Sequence, residues 1–250
     1  MLASQAEKNI ARISGIIDSV PQLSHMAYGE GFYSFDLKVM RTSGSPDFIP
    51  VLLSDRLASG DMLAVGKCLY VEGQFRSHNV PGEEHSRLKL MVFARKVIFF
   101  DVEGEAKTVV RRDDPPEGPG AGSVESWEMT PEDKAGIKLD TNEIVLDGFI
   151  CKPPIFRVTP LKREIADILL AVNRMYNKSD YIPCICWGRN ARFCGKRQVG
   201  EHVRITGRVQ SRFYTKRYPN GTEEQRIAYE VSIATLEIVD DSKEKAGEQD

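Results

Sequence analysis

The chain has 250 residues, of which 41% are hydrophobic and 28% are charged, a balance that suits one or two domains with a buried core. Its net charge of −2 excludes a strongly basic chain, and no apolar run approaches the ~20 residues of a membrane-spanning helix. The first residues lack the pattern of a secretory signal and the five cysteines have no regular spacing, so we expect reduced thiols and a cytoplasmic location.

Strand patterns dominate the first hundred residues. Residues 31–41, GFYSFDLKVMR, place aromatic residues close together and predict a strand. A short helix is expected within residues 55–65. Two further strands are predicted in VGKCLYVEGQFRS (Val65–Ser77) and LKLMVFARKVIFFD (Leu88–Asp101).

Residues 105–140 have a different composition, rich in acidic residues, Pro and Gly. Within them, DDPPEGPGAGSVESWEM (Asp113–Met129) has no hydrophobic period. Such a composition is typical of a flexible acidic linker. Trp127 is unexpected there and is a candidate to dock on a domain.

The segment TPLKREIADILLAVNRMY (Thr159–Tyr176) fits two structures. Thr159 followed by Pro160 is a good start for a helix. Its counterpart in the first half, residues 31–41, has the pattern of a strand. Because related segments share their structure, we predict a strand here too.

A hairpin is predicted near the end of the chain. Residues 201–214 and 227–239 both alternate apolar and polar residues and are rich in β-branched side chains. The sequence PNGT (Pro219–Thr222) between them is a strong turn signal. A short helix is expected before this hairpin, within residues 191–198.

The two halves of the chain resemble each other in three blocks. DFIP (Asp47–Pro50) matches DYIP (Asp180–Pro183) at an offset of 133, and VGKCLYVEGQFRS matches VGEHVRITGRVQS (Val199–Ser211) at 134. Leu88–Asp101 lies over Ile227–Asp240 at an offset of 139. Three matching blocks with small changes of offset indicate a duplicated domain of about 95 residues.

Each copy is predicted to have five strands, with a short helical connection after the third. This order predicts an OB-fold, a five-stranded Greek-key barrel, and hence an all-β chain of two tandem OB-folds. The expected domains follow the composition: an N-terminal OB-fold over residues 1–104, the acidic linker 105–140, a C-terminal OB-fold over 141–240 and a short acidic tail 241–250.

Basic residues are concentrated in the second half. Residues 141–239 contain 16 Lys and Arg against 10 Asp and Glu, a net charge of +6. The stretch GRVQSRFYTKRY (Gly207–Tyr218) has four basic residues, three aromatic residues and no acid. A solvated surface would show the same charge, but bases mixed with aromatics favour a polyanion partner.

The second copy resembles the bacterial single-stranded DNA-binding protein family. The resemblance rests on LAVNRMY, DYIPCICWGRNA, VGEHVRITGRVQSRFY and AYEVS in that order, and the first copy is similar more weakly. It implies OB-folds, sequence-tolerant binding of single-stranded DNA in replication, recombination or repair, a nucleoid-associated location, no cofactor and no catalysis. Family members commonly assemble four OB-folds, so a homodimer is expected.

The resemblance also implies the contact residues. The family stacks bases on aromatic side chains, and the positions that match are Tyr176, Tyr181, Trp187 and Tyr214. The candidate phosphate contacts are Arg174, Arg189, Arg208, Arg212, Lys216 and Arg217. Stacked aromatics with interleaved cations are what sequence-independent binding of a single strand needs.

Core packing is the alternative explanation for these aromatic residues. In a strand, Tyr181 and Trp187 lie on one face, whereas Ile182, Cys184 and Cys186 lie on the other. The second set is the better core candidate, which leaves the aromatic face for a ligand. Phe213, next to Tyr214, is expected to be packed rather than stacked.

The first copy departs from the family pattern. The positions that correspond to the four aromatic residues are occupied by Ser43, Phe48, Ser54 and Val80. We therefore expect the first copy to bind DNA poorly and to serve mainly in assembly. Its retained cations, Arg41, Arg56 and Arg76, are candidates for weak phosphate contacts only.

The sequence is compatible with several partners and with functions other than DNA binding. Replication and repair proteins are candidate partners, but the tail DDSKEKAGEQD lacks the apolar tip that recruits them in the family. The alternatives are an OB-fold adaptor of a replication or mobile-element complex, and a binder of single-stranded RNA. No acid–base or nucleophile arrangement suggests an enzyme, and the one-residue gap between Cys184 and Cys186 argues against a metal site.

Overall fold

The computed structural model describes residues 8–80, 87–100, 106–112, 124–128, 140–174, 177–218 and 220–240. Tyr176, much of the expected linker and the tail 241–250 lie outside the described residues. Within the described ranges, no helix is both long and apolar enough to cross a membrane.

The structure is built almost entirely from strands. The first copy contains β1 (Asn9–Ile17), β2 (Gln22–Ala27), β3 (Glu30–Met40), β4 (Pro46–Ser54), β5 (Cys68–Val80) and β6 (Arg87–Phe100). Two strands follow, β7 (Ala106–Arg112) and β8 (Val124–Glu128). The second copy contains β9 (Asn142–Ile150), β10 (Ile155–Val158), β11 (Glu164–Asn173), β12 (Ser179–Trp187), β13 (His202–Arg217) and β14 (Glu223–Ile238). A 3₁₀ helix, Gly60–Met62, follows β4, and helix α1, Gly188–Cys194, follows β12.

Each copy closes as a barrel with the same pairing. β1 pairs with β3 and β5, β3 with β4, and β5 with β6, all antiparallel, and the parallel pair β4–β6 closes the barrel. In the second copy β9, β11, β12, β13 and β14 repeat these pairings, including the parallel pair β12–β14. This pairing confirms the all-β fold and its duplication.

The ambiguous segment and the hairpin match the sequence analysis. The segment Thr159–Tyr176 contains strand β11, so the strand interpretation is confirmed over the helix. β13 and β14 pair antiparallel along nearly their whole length, which confirms the hairpin. Helix α1 begins and ends a few residues earlier than the predicted 191–198.

Each copy has a sixth strand that the sequence analysis did not predict. β2 pairs with β3, and β10 pairs with β11. All four side chains of β10 are exposed, as are all but one of those of β2. Neither strand therefore shows the alternating burial that marks a strand in a sequence.

Two strands also fall in the range assigned to the linker. β7 pairs with β6, and β8 pairs with β7, so the sheet of the first copy continues beyond β6. β7 has the sequence AKTVVRR, whose β-branched residues favour a strand. The acidic, Pro- and Gly-rich composition of residues 105–140 as a whole gave no indication of these two short strands.

The two copies join through their first strands. β1 and β9 pair antiparallel, from Asn9 opposite Leu146 to Ile13 opposite Asn142. The Asn9 side chain exchanges two hydrogen bonds with the backbone of Phe75, at 2.8 and 2.9 Å. The Asn142 side chain does the same with the backbone of Val209, at the same two distances. The junction therefore has approximate two-fold symmetry within one chain.

Gly15 and Gly148 occupy equivalent positions in the two copies, and each lies very close to a neighbouring strand. A Cβ at Gly15 would lie 2.6 Å from the carbonyl oxygen of Lys38, and a Cβ at Gly148 would lie 2.6 Å from that of Ala171. Backbone atoms cannot move aside cheaply. We expect Gly15→Ala and Gly148→Ala each to lower the free energy of unfolding by about 1–3 kcal/mol, measured by urea denaturation. Unchanged stability in both variants would contradict this close approach of strands.

Candidate nucleic-acid interface

Strand β12 separates a core face from an exposed face. Ile182, Cys184 and Cys186 are at most 2% exposed, whereas Tyr181 is 47% and Trp187 is 40% exposed. The structure thus confirms the burial pattern that the sequence analysis expected. Burial also raises the pKa of the Cys184 thiol, which keeps it protonated in the core.

The end of β12 presents Trp187 to solvent. Gly188 has φ of +55°, a conformation that favours glycine, and the chain turns there into α1. Helix α1 is held against the barrel by the Asn190 side chain, which donates to the carbonyl oxygen of Ala234 at 2.8 Å. Beneath the turn, the buried Sγ atoms of Cys186 and Cys194 lie 2.7 Å apart.

Trp187 borders a cationic groove, which we call the junction groove. Its lining includes Trp187, Gln210 and Glu230, and five arginines: Arg41, Arg157, Arg163, Arg208 and Arg212. Arg41 belongs to the first copy, so the groove crosses the boundary between the copies. The five arginines make the lining cationic, although Arg41 and Arg208 share the buried Asp47 and Arg157 pairs with Asp167.

A second groove also borders Trp187 and shares Arg163 with the junction groove. Its lining includes Lys162, Arg163 and Arg192, together with Glu164 and the backbone at Gly188. Arg192 pairs with Glu164 at 2.6 Å. Trp187 therefore borders cations in both grooves, which suits a stacked base whose phosphates lie nearby.

The arginines predicted to contact phosphates differ in how strongly they are engaged by acidic residues of the protein. Arg174 pairs with the buried Asp180 at 3.1 Å and Arg208 pairs with the buried Asp47 at 3.3 Å, so both are partly engaged within the protein. Arg217, whose side chain is 79% exposed, pairs with Glu223. Arg189 is exposed on α1.

The hairpin brings aromatic residues to the same side as the groove. Tyr214 is 37% exposed, and the guanidinium of Arg212 lies 6.0 Å from its ring centre. The Lys216 ammonium lies 4.7 Å from the ring centre of Tyr218. Phe213 is 62% exposed, so the expectation that it is packed was wrong, although its ring meets the edge of Phe48.

In the first copy, a buried and largely aromatic cluster occupies the equivalent place. Phe32, Leu52 and Phe93 form this cluster, whereas the second copy has Ile165, Ile185 and Ser232, so both phenylalanines are replaced by smaller residues there. Arg76 covers the Phe93 ring at 4.2 Å. Ser54, which replaces Trp187, is buried and donates a hydrogen bond to Glu30.

Sequence reasoning missed the arginines that complete the groove. Arg157 lies on β10, and Arg163 lies just before β11. Arg157 also pairs with Asp167 at 2.9 Å. The only signal was the general excess of bases in the second copy, because neither residue lies in the blocks that carry the family resemblance.

Comparisons with known proteins agree with this geometry. The model of the single-strand binding protein family matches residues 141–239. Single-stranded DNA-binding protein 1 of Lactococcus lactis is 30% identical over 109 residues, covering 41% of this chain and 70% of that protein. Single-stranded DNA-binding protein B of Bacillus subtilis is 32% identical over 83 residues, covering 29% of this chain and 71% of that protein.

A solved structure extends the likeness to both copies. The wild-type single-stranded DNA binding protein from Thermus aquaticus superimposes with a TM-score of 0.64 and 17% sequence identity, covering 93% of each chain. This similarity concerns the fold, and it includes the tandem arrangement of the two barrels. The relatives named above show that the chain belongs to the single-strand binding protein family.

Proposed function

We propose that this protein binds single-stranded DNA without reading its sequence and that the second copy is the main binding module. The observation that carries the proposal is Trp187, which is 40% exposed and lines two cationic grooves. The relatives named above are single-stranded DNA-binding proteins, which supports the same ligand.

The arrangement explains tolerance of sequence. Every base has a flat face that stacks on an aromatic ring, and stacking contributes about 1–3 kcal/mol per base. Tyr181, Trp187 and Tyr214 offer such rings, and arginines beside Trp187 offer charge to the phosphates. Tyr176 stays a prediction, since it lies outside the described residues.

Assembly and process are further parts of the proposal. A homodimer would bring together four barrels, as the family resemblance implies, with residues 1–104 serving mainly in assembly. We place the protein in DNA replication, recombination or repair, as a non-catalytic binder located at the nucleoid. In the first copy the buried cluster around Phe93, covered by Arg76, occupies the place of the groove. This supports the proposal that the second copy does most of the binding.

A fluorescence titration tests the proposal. The chain has two tryptophans, so a Trp127→Phe variant leaves Trp187 as the only tryptophan, whose emission is excited selectively at the red edge of its absorption. We expect poly(dT) to quench this emission, and log K to fall linearly with log salt by about 0.7 for each phosphate neutralised. Quenching reports stacking directly, and the slope counts the phosphate contacts.

Other outcomes would select the alternatives. An absence of both quenching and salt-dependent binding would overturn the proposal and favour a protein-binding adaptor. Tighter binding of poly(U) than of poly(dT) would instead indicate an RNA ligand, since the stacking surface itself accepts both.

A further inference from the structure

Two cysteines are in direct contact in the core of the second copy. Cys186 lies one residue before the end of β12, Cys194 is the last residue of α1, and both side chains are fully buried. The S–H group of Cys186 donates a hydrogen bond to Sγ of Cys194 at 2.7 Å. A disulfide has about 2.05 Å between its sulfur atoms, so the two atoms would have to approach by only about 0.7 Å to form one.

Core packing by itself does not explain this contact. A buried cysteine often acts as a small apolar side chain, and this accounts for Cys184, which faces the same core. In the first copy, the position of Cys186 is occupied by Leu53, which is also fully buried. Because the fold accepts an aliphatic residue at this place, the contact between the two sulfur atoms calls for a separate explanation.

The surroundings of the pair favour a reactive thiolate at Cys194. The hydrogen bond from Cys186 and the positive charge of Arg197 lower the pKa of the Cys194 thiol, although burial acts in the opposite direction. The same hydrogen bond raises the pKa of Cys186, which therefore keeps its proton. A thiolate is the form of cysteine that attacks an oxidant. One residue of the pair is thus suited to the attack and the other to the closure of a bridge.

Helix α1 covers the pair and controls access to it. The helix has seven residues, and a helix this short is stable only through its contacts with the rest of the fold. Asn190 holds it to the carbonyl oxygen of Ala234, and Arg192 holds it to Glu164. Phe193 is 42% exposed, so the helix lies at the surface. A local opening of α1 would therefore admit a small oxidant to the two sulfur atoms.

We propose that Cys186 and Cys194 form a reversible disulfide when the protein meets a peroxide. The Cys194 thiolate attacks one oxygen of hydrogen peroxide, which gives a sulfenic acid and releases hydroxide. The Cys186 sulfur then attacks the sulfenic sulfur, and its proton leaves with the sulfenic OH group as water. Two electrons pass from the two sulfur atoms to the peroxide, which is reduced to water.

The bridge would act on the segment that carries Trp187. It would join β12 to α1 and close a ring formed by residues 186–194, which includes Trp187 and the turn at Gly188. The helix could then no longer separate from the strand. In a reducing compartment such a pair stays as thiols and forms a disulfide only transiently. This chemistry does not depend on the proposed function, because it takes place with or without DNA.

Peptide mapping of the full chain tests the proposal. The protein is treated with hydrogen peroxide, the remaining thiols are blocked with iodoacetamide in denaturant, and a tryptic digest is analysed by mass spectrometry without reduction. The chain has five cysteines, so we expect three blocked thiols and one bridge between Cys186 and Cys194. Trypsin cuts after Arg189 and Arg192, so the bridge would link two separate peptides, and fragmentation distinguishes Cys186 from Cys184. Dithiothreitol should restore all five thiols, because a disulfide is reducible whereas a sulfinic acid is not.

Cysteine variants provide matched controls. Cys186→Ala and Cys194→Ala should each abolish the bridge. Cys151→Ala and Cys68→Ala each remove a partly exposed cysteine, from the second and the first copy, and should leave the bridge unchanged. Urea denaturation shows whether each variant folds. The mapping of the unaltered protein remains a test even if a variant is unstable.

Other results would overturn the proposal. A bridge that uses Cys184, or bridges between chains through Cys68 or Cys151, would show that the contact between Cys186 and Cys194 does not direct the oxidation. Five intact thiols, under conditions that fully oxidise free glutathione, would show that α1 keeps the oxidant out. A sulfinic acid at Cys194 without a bridge would show that Cys186 does not close the disulfide.

Discussion

Trp187→Ala should weaken the binding of poly(dT) by about 5- to 150-fold, the range that corresponds to 1–3 kcal/mol for a stacked base. Trp187 ends β12, is 40% exposed and lines both cationic grooves, so its ring is the best-placed stacking surface of the second copy. Binding would be followed by the anisotropy of a label on the DNA, at one stated salt concentration.

Two comparisons show whether the loss comes from stacking. Trp187→Phe retains a flat ring and should lose less affinity than Trp187→Ala. Because the side chain is partly exposed and the core face of β12 is formed by other residues, neither variant should unfold at a markedly lower urea concentration. A loss of affinity that simply follows a loss of stability would contradict a direct contact.

Local patterns explain what the sequence could predict. The alternation along β12 separates Trp187 from Cys186 with no knowledge of the tertiary structure, because neighbours in a strand point to opposite faces. The duplication resolved the state of β11, which propensity alone left open between helix and strand. Both successes depend on residues close in sequence or on direct comparison of the two halves.

Contacts between distant residues explain what the sequence could not predict. Arg41 lies 170 residues before Ser211 and yet donates to its carbonyl oxygen, which no local period reveals. The buried cluster of the first copy likewise depends on Phe93 packing against Phe32, which lies on another strand.

Asp47→Ala should lower the free energy of unfolding by about 2–4 kcal/mol, measured by urea denaturation. The change leaves the buried N–H of Ser211 without its acceptor and removes the carboxylate between Arg41 and Arg208. An unsatisfied buried donor costs about 1–3 kcal/mol, and breaking a fully buried ion pair costs about 3–5 kcal/mol. The lower total applies here because both guanidinium groups are partly exposed to water.

The duplication provides the comparison for this loss. Asp180→Ala removes the equivalent carboxylate, which accepts from Ser77 and pairs with Arg174, so we expect a similar destabilisation. Asp167→Ala removes a carboxylate that is 36% exposed and pairs with Arg157 at 2.9 Å, and it should cost about 1 kcal/mol or less. Equal losses in the free energy of unfolding for all three substitutions would mean that burying a carboxylate at the junction adds no stability. A larger effect at Asp47 and Asp180 alone would show that these two carboxylates hold the copies together, and hence that the junction groove is a fixed feature of the folded chain.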